Sequence, residues 1–369
     1  MSRHRWMMGS RGARLWMLLW ILNIVYSTNK VRASSLSALR VPPAQLSTPT
    51  FALKVLGEPK DDMRSFLLAL AAHEQREANA SAAHSAIIVF NYVEPKRKRA
   101  FLTALARLPE RSVHRPYVLM LLGFNMDEEC FVHASSMRFE KLCKTARELL
   151  YDRGDFLFAN FDLGDTFLLD DNNPLRGVTI PPPGYRSLPP FDPDAPTRYF
   201  LTFRGIRNLG YYNSSRVREH LARAFAGWND DRIQIWIDKS RFRLGARGAP
   251  PYDELFNSSF SLTAHGHGRW TFRFSEIVMA CSIPVYLADG ITLPFDQLVD
   301  WSKCSFLIPE REAENATQLL AHLPNDEHIV RAMRHCICEI NAQYFATPEK
   351  RVDGFLKSIL VETKRTRSR

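Results

Sequence analysis

Apolar and polar positions alternate between two periods along most of this chain. Short apolar runs stand at residues 85–92 (SAIIVFNY), 116–124 (PYVLMLLGF), 156–160 and 178–180. Between them lie segments with apolar residues three and four apart. In 61–79 Met63, Phe66, Leu67, Leu70 and Ala71 share a face, and 98–108 and 137–151 follow the same spacing. The short runs, bounded by turn residues, read as buried strands; the longer spacing reads as amphipathic helix. The alternation resumes with strands at 198–203, 233–237, 260–263, 283–287 and 304–308. Helices are predicted at 217–226, 271–281, 325–344 and 349–360, with a short one at 251–257. Strands alternating with helices predict an α/β fold with mainly parallel sheets. Residues 181–197 contain seven prolines and divide the two series. We therefore expect two Rossmann-like domains with a cleft between them, over 51–190 and 197–360.

The stretch 260–301 carries the clearest candidate chemistry. It reads as strand, glycine loop with Gly266 and Gly268, helix, strand and loop. Small residues let a loop backbone approach a phosphate, and free N–H groups at a helix start face an anion. Arg269 and Arg273 add positive charge, and Glu276, one turn beyond Arg273, is placed to accept hydrogen bonds from sugar hydroxyls. The same spacing also suits an ordinary βαβ unit with a solvated helix and an Arg273–Glu276 surface pair.

Composition changes this picture only at the ends. The chain has 369 residues, 46% hydrophobic and 24% charged, which is a globular balance. The net charge of +10 misleads. Ten of the 49 basic residues but only one of the 39 acidic ones fall in residues 1–32 and the tail, leaving a body of 39 and 38. A balanced body lacks the basic face that nucleic-acid binding needs. Residues 15–26 (LWMLLWILNIVY) form an apolar run behind basic residues, the pattern of a cleaved signal peptide or a signal-anchor with a lumenal body. Residues 33–50 read as a stem. The sequons at Asn79, Asn213, Asn257 and Asn315 agree with a lumenal body, where the six cysteines are able to form disulfides of open connectivity. Cys130 with Cys143 suits a local loop; Cys336 and Cys338 lie too close on one helix to bridge each other. No clustered spacing suggests zinc.

With these residues in view, the chain resembles the exostosin family of glycosyltransferases. The resemblance rests on Phe260, Leu262, Gly266, Thr271, Arg273, Glu276, Cys281, Ile283, Pro284, Val285, Leu293, Pro294, Phe295, Asp300 and Trp301, in ungapped register. Arg204-Gly205 and the segment 251–257 extend it; residues 152–164 and 177–182 carry it more thinly into the first half. There Asp155 stands where the family has a histidine.

The resemblance implies a GT-B arrangement and transfer of a sugar from a nucleotide-sugar donor, a UDP-sugar, to a polysaccharide or glycoprotein glycan, with inversion. It places the diphosphate at the loop from Gly266 to Thr271 with Arg273, Arg204 and Arg269, and the ribose at Glu276. Asp162 and Asp155 become candidate bases, with Asp165 a third. No metal or other cofactor is required, because cationic side chains take the place of a cation; the acidic pairs Asp170-Asp171 and Asp230-Asp231 read as turn residues. The family further implies a single-pass Golgi membrane protein and assembly with related glycosyltransferases or with copies of itself. Two other readings stand beside this one: a non-catalytic partner subunit or glycan-binding protein, and a sulfotransferase, for which no phosphosulfate loop follows the strand at 85–92.

Overall fold

The computed structural model of the protein describes residues 51–56, 61–76, 85–90, 103–112, 114–121, 153–161, 177–182, 184, 186, 188–206, 216–238, 248–265 and 269–365. The apolar run at 15–26, the stem, the helix expected at 137–151, Cys130, Cys143 and the sequons at Asn79 and Asn213 lie outside them. Among the described residues no helix is long and apolar enough to cross a membrane.

The fold is mixed α/β, built on two five-stranded parallel sheets. The first sheet takes its strands in chain order: β1 (Phe51–Leu56), β2 (Ser85–Phe90), β3 (Tyr117–Leu121), β4 (Phe156–Asn160) and β5 (Val178–Thr179). β1 was not expected from the pattern. Ile87, Ile88 and Val89 are all buried, as is every residue of β4, so these strands are covered on both faces as parallel strands must be. Helix α1 (Asp61–Arg76) turns Met63, Phe66, Leu67 and Leu70 inward and leaves Leu68 exposed.

The second sheet has β6 (Tyr199–Ile206), β7 (Ile233–Asp238), β8 (Ser258–Ala264), β9 (Ile283–Leu287) and β10 (Phe306–Ile308) in the order β10-β9-β8-β6-β7. Its direction of growth reverses after β7. The first sheet shows no such reversal among its described strands, so the two halves differ in topology where the pattern suggested likeness. Three helices of this half matter below: α2 (Val217–Ala224), α3 (Phe272–Met279) and the short α4 (Ala316–Ala321). Thr271 caps α3, accepting a hydrogen bond from the Arg273 N–H at 3.2 Å. At its other end Cys281 takes φ 60, and the N–H groups of Cys281 and Ser282 close back on Val278 and Ile277. This termination normally uses glycine. The cysteine stands there because it is bonded to Cys338.

Two C-terminal helices return across the molecule. α5 (Glu327–Ile340) starts at Asp326, whose carboxylate accepts from the His328 and Ile329 N–H groups, and runs into a π-helical turn at Asn341–Phe345. α6 (Pro348–Arg365) then packs on α1 and β5 of the first sheet. Phe66 meets Phe355 edge-on at 6.0 Å. Gly354 lets α6 lie close to Phe295 and Tyr344 as well: a Cβ there would lie 2.8 Å from the Phe295 ring. One apolar core therefore runs from Leu70, Ile87 and Val118 through Phe355 and Phe345 to Phe274 and Trp301.

The disulfides tie this returning segment to the second sheet. Cys281–Cys338 fixes the end of α3 to α5, and Cys304–Cys336 fixes the turn before β10 to the same helix. Each closes a long loop and removes freedom from the unfolded chain. Replacing Cys281 and Cys338 together by serine is expected to cost about 2–4 kcal/mol, read as a fall in urea midpoint against the native protein.

Candidate active site

The reversal in the second sheet lies between β6 and β8, the point where open α/β sheets leave a crevice outside the C-terminal ends of their strands. Arg218 of α2 bridges it. Its Nη1 donates to the Ile206 carbonyl at 2.9 Å and its Nη2 to the Ala264 carbonyl at 3.0 Å, the last residues of β6 and β8. Burial, then the nearby Arg273 charge, push its pKa down to about 10, so it stays a cation at neutral pH. Sequence reasoning missed Arg218. It is one of four arginines in residues 216–223 and 232, and only the sheet order singles it out.

Arg273, the second residue of α3, comes from the other side. Its Nε donates to the Leu262 carbonyl at 3.2 Å, and its guanidinium lies over the rings of Phe256, Tyr252 and Phe203 at 4.8, 5.4 and 5.7 Å. It is buried, and its Nη2 has no hydrogen-bond partner among the described residues. Neither Arg218 nor Arg273 has a carboxylate at ion-pair distance among those residues. The buried Arg273 and the half-buried Arg218, held by carbonyls and rings, leave charge for an anion to meet.

The other basic residues are more committed. Arg204 reaches Asp238 at 3.7 Å and the Pro250 carbonyl at 3.4 Å. Arg269 donates to the Gly290 and Asp289 carbonyls at 2.7 and 3.3 Å, while its own carbonyl accepts from the Tyr286 hydroxyl. It pins the loop after β9. His265 contacts the Glu310 carboxylate at 2.6 Å, and Glu310 and Asp289 bond each other's backbone, which ties together the ends of β8, β9 and β10. Thr271 serves as the helix cap. Gly266 and His267 lie outside the described residues.

Glu276 is only 1% exposed. The Tyr252 hydroxyl donates to its Oε2 at 2.6 Å. Burial foremost raises the Tyr252 pKa to about 12, so the phenol keeps its proton. Tyr252 itself sits between Arg273 and Arg186, whose guanidinium lies 5.0 Å from the ring on the linker. The proline-rich linker lies across α3: the Ser275 hydroxyl donates to the Pro182 carbonyl, and a Cβ on Gly184 would meet Met279 and Glu276. Tyr252 thus serves both residues, its ring beside the Arg273 guanidinium and its hydroxyl on the Glu276 carboxylate.

Across the molecule, the C-terminal end of β4 reaches this region. Phe161 packs on Trp270 with ring centres 4.6 Å apart, and Gln297 donates to the Gly177 carbonyl. Asp162 lies outside the described residues, as does Asp165. Asp155 lies away from the C-terminal ends of the strands. It precedes β4, at the N-terminal edge of the sheet, and is 2% exposed. Arg153 grips it through Nε and Nη2 at 2.9 and 2.6 Å, and the Arg111 N–H donates to it at 2.9 Å. This carboxylate fixes a strand start. Among the described residues no three histidine, cysteine, aspartate or glutamate side chains gather as a metal site would.

Residues 165–323 match the Exostosin GT47 domain. The probable glucuronoxylan glucuronosyltransferase IRX7 of Arabidopsis thaliana is 32% identical over 130 residues, covering 34% of this chain and 27% of that protein. The Exostosin-1 homolog of Caenorhabditis elegans is 37% identical over 70 residues, 19% of this chain and 18% of that one. A rice protein described as a probable glucuronosyltransferase is 28% identical over 166 residues, covering 42% of this chain and 37% of its own length. The chain therefore spans well under half the length of these relatives. A solved GtfA/B complex aligns with a TM-score of 0.42 at 11% identity over 81% of this chain and 61% of that one, a likeness too low to bear on either fold or function.

Proposed function

We propose that the protein is a glycosyltransferase that moves a sugar from a nucleoside diphosphate donor, a UDP-sugar, to a hydroxyl of a polysaccharide or glycoprotein glycan. The observation that carries this reading is the pair of guanidinium groups at the β6–β8 switch point, Arg273 buried and Arg218 half-buried, with no carboxylate partner among the described residues. Breaking a glycosidic bond to a nucleotide leaves a diphosphate, and catalysis depends on donors aimed at the charge that develops there. Arg218 and Arg273 meet that charge in this reading, with Arg204 and the N-terminus of α3 beside them. Glu276 orients the ribose once Tyr252 releases it. The meeting of Phe161 with Trp270 supports a two-domain GT-B cleft, with the acceptor on the side of the first sheet and Asp162 the remaining candidate base. The named activity of the relatives makes a glucuronic acid donor the first to try. Inversion, and residence in the Golgi membrane through the apolar run at 15–26, belong to the same proposal.

The test is nucleotide binding. Calorimetry should detect UDP on the native protein and show its affinity reduced at least tenfold in Arg218→Gln, with the melting temperature of the unliganded variant near that of the native chain. A non-catalytic subunit is the reading left standing if UDP binds but no nucleotide sugar is turned over. Unchanged UDP affinity in that variant removes Arg218 from the site.

A further inference from the structure

Two of the sequons, at Asn257 and Asn315, fall within the described residues, and they sit differently. Asn315 follows the short turn Glu310–Glu314 and precedes α4, with extended backbone at φ -131 and ψ 103. Asn315, Thr317 and Gln318 are exposed, as are Arg311 and Glu314 in the turn before them. Ala313, Ala316 and Leu319 face the other way, into the apolar core of the second sheet. A bulky polar group attached at Asn315 therefore displaces no packed side chain. At Asn257 the surroundings are tighter. That residue is half-buried, and its Oδ1 accepts from the Arg198 N–H at 3.3 Å. Ser259, the hydroxyl residue of the same triplet, is buried and shares a hydrogen bond with Thr197 at 2.8 Å.

The two ends of the Asn315 amide have separate tasks. Its Oδ1 accepts from the Gln318 N–H at 3.1 Å and caps α4. Its Nδ2 has no hydrogen-bond partner among the described residues. A substituent on Nδ2 leaves Oδ1, and with it the cap, in place. The covalent setting points the same way. In sequence, Asn315 lies inside both disulfide loops, Cys281–Cys338 and Cys304–Cys336. Disulfides persist in the oxidising lumen of the secretory pathway, the compartment in which asparagine of an Asn-x-Ser/Thr triplet is glycosylated.

We infer that Asn315 is a site of N-linked glycosylation, with Thr317 as the hydroxyl residue of its recognition triplet. The co-reactant is a lipid-diphosphate oligosaccharide of the secretory lumen. The Asn315 Nδ2 gives up one proton and bonds to the anomeric carbon of the first sugar. The bond from that carbon to the lipid diphosphate breaks, and the diphosphate leaves with the electron pair. The inference rests on the lumenal residence proposed above and is independent of the sugar-transfer reading of the crevice.

The test maps glycans on the full chain expressed in a secretory eukaryotic cell. Enzymatic release of N-glycans in heavy-oxygen water converts each glycosylated asparagine to labelled aspartate, which mass spectrometry locates. The peptide that carries Asn315 should be labelled in most molecules. Thr317→Ala keeps the Asn315 cap but destroys the triplet; it should abolish that label and lower the apparent mass of the untreated protein by one glycan. Thr317→Ser restores a hydroxyl and should restore the label. An unlabelled Asn315 beside label at Asn79, Asn213 or Asn257 overturns the inference and leaves lumenal residence standing. No label at any of these asparagines overturns both. Label at Asn315 that persists in Thr317→Ala also overturns the inference, because it then reports deamidation of a bare side chain.

Discussion

Arg273→Ala is expected to lower turnover roughly 10²–10³-fold, the range found when one preorganised donor to developing charge is removed. The size follows from position. The guanidinium is held by the Leu262 carbonyl and three aromatic rings, so its free Nη2 costs no reorganisation when the diphosphate departs. Arg273→Lys keeps the charge but loses the planar fork and the ring stacking, and should recover only a small part of the activity. The measurement is nucleotide release in single turnover on protein whose circular dichroism matches the native chain. If both variants turn over normally, the diphosphate is not where we place it.

Phe355→Ala should cost about 3–5 kcal/mol, the range for emptying a large buried aromatic site. Phe355 has 0% exposure and joins α6 to α1 through Phe66, while Gly354 beside it is pressed against Phe295. The position lies in the core that spans both sheets. The loss should therefore appear as an earlier single urea transition, with both halves unfolding together. Two separated transitions, with the second sheet unmoved, would show that the halves are energetically independent.

Much of this architecture was legible before any coordinates. Strand and helix periods were distinct, and the run from Phe260 to Leu287 gave its strands and α3 within two residues. That the proline-rich segment lies across α3 was not visible in the sequence. Other features were hidden for physical reasons. Strand order is decided by which faces pack, and nothing local in residues 51–56 or 85–90 says that the first sheet grows in one direction only. Cysteine pairing depends on α5 lying between α3 and β10, a tertiary fact. The site was half legible. Arg273 and Glu276 came from spacing and resemblance. Arg218 did not, because its meaning lies in two carbonyls 12 and 46 residues away. The setting of Asp155 was hidden for a similar reason: a carboxylate at a strand start and one at a strand end look alike in sequence, and the Arg153 grip is a tertiary fact.

The returning helix α6 also sets the order of events during synthesis. β1 to β4 leave the ribosome early, yet the apolar surface that α6 covers stays open until residues 348–365 emerge. At about 5–20 residues per second this interval lasts on the order of tens of seconds. Cys281 and Cys304 likewise wait for Cys336 and Cys338 before they meet their partners. A ribosome that stalls before residue 348 therefore releases a product with an uncovered first sheet.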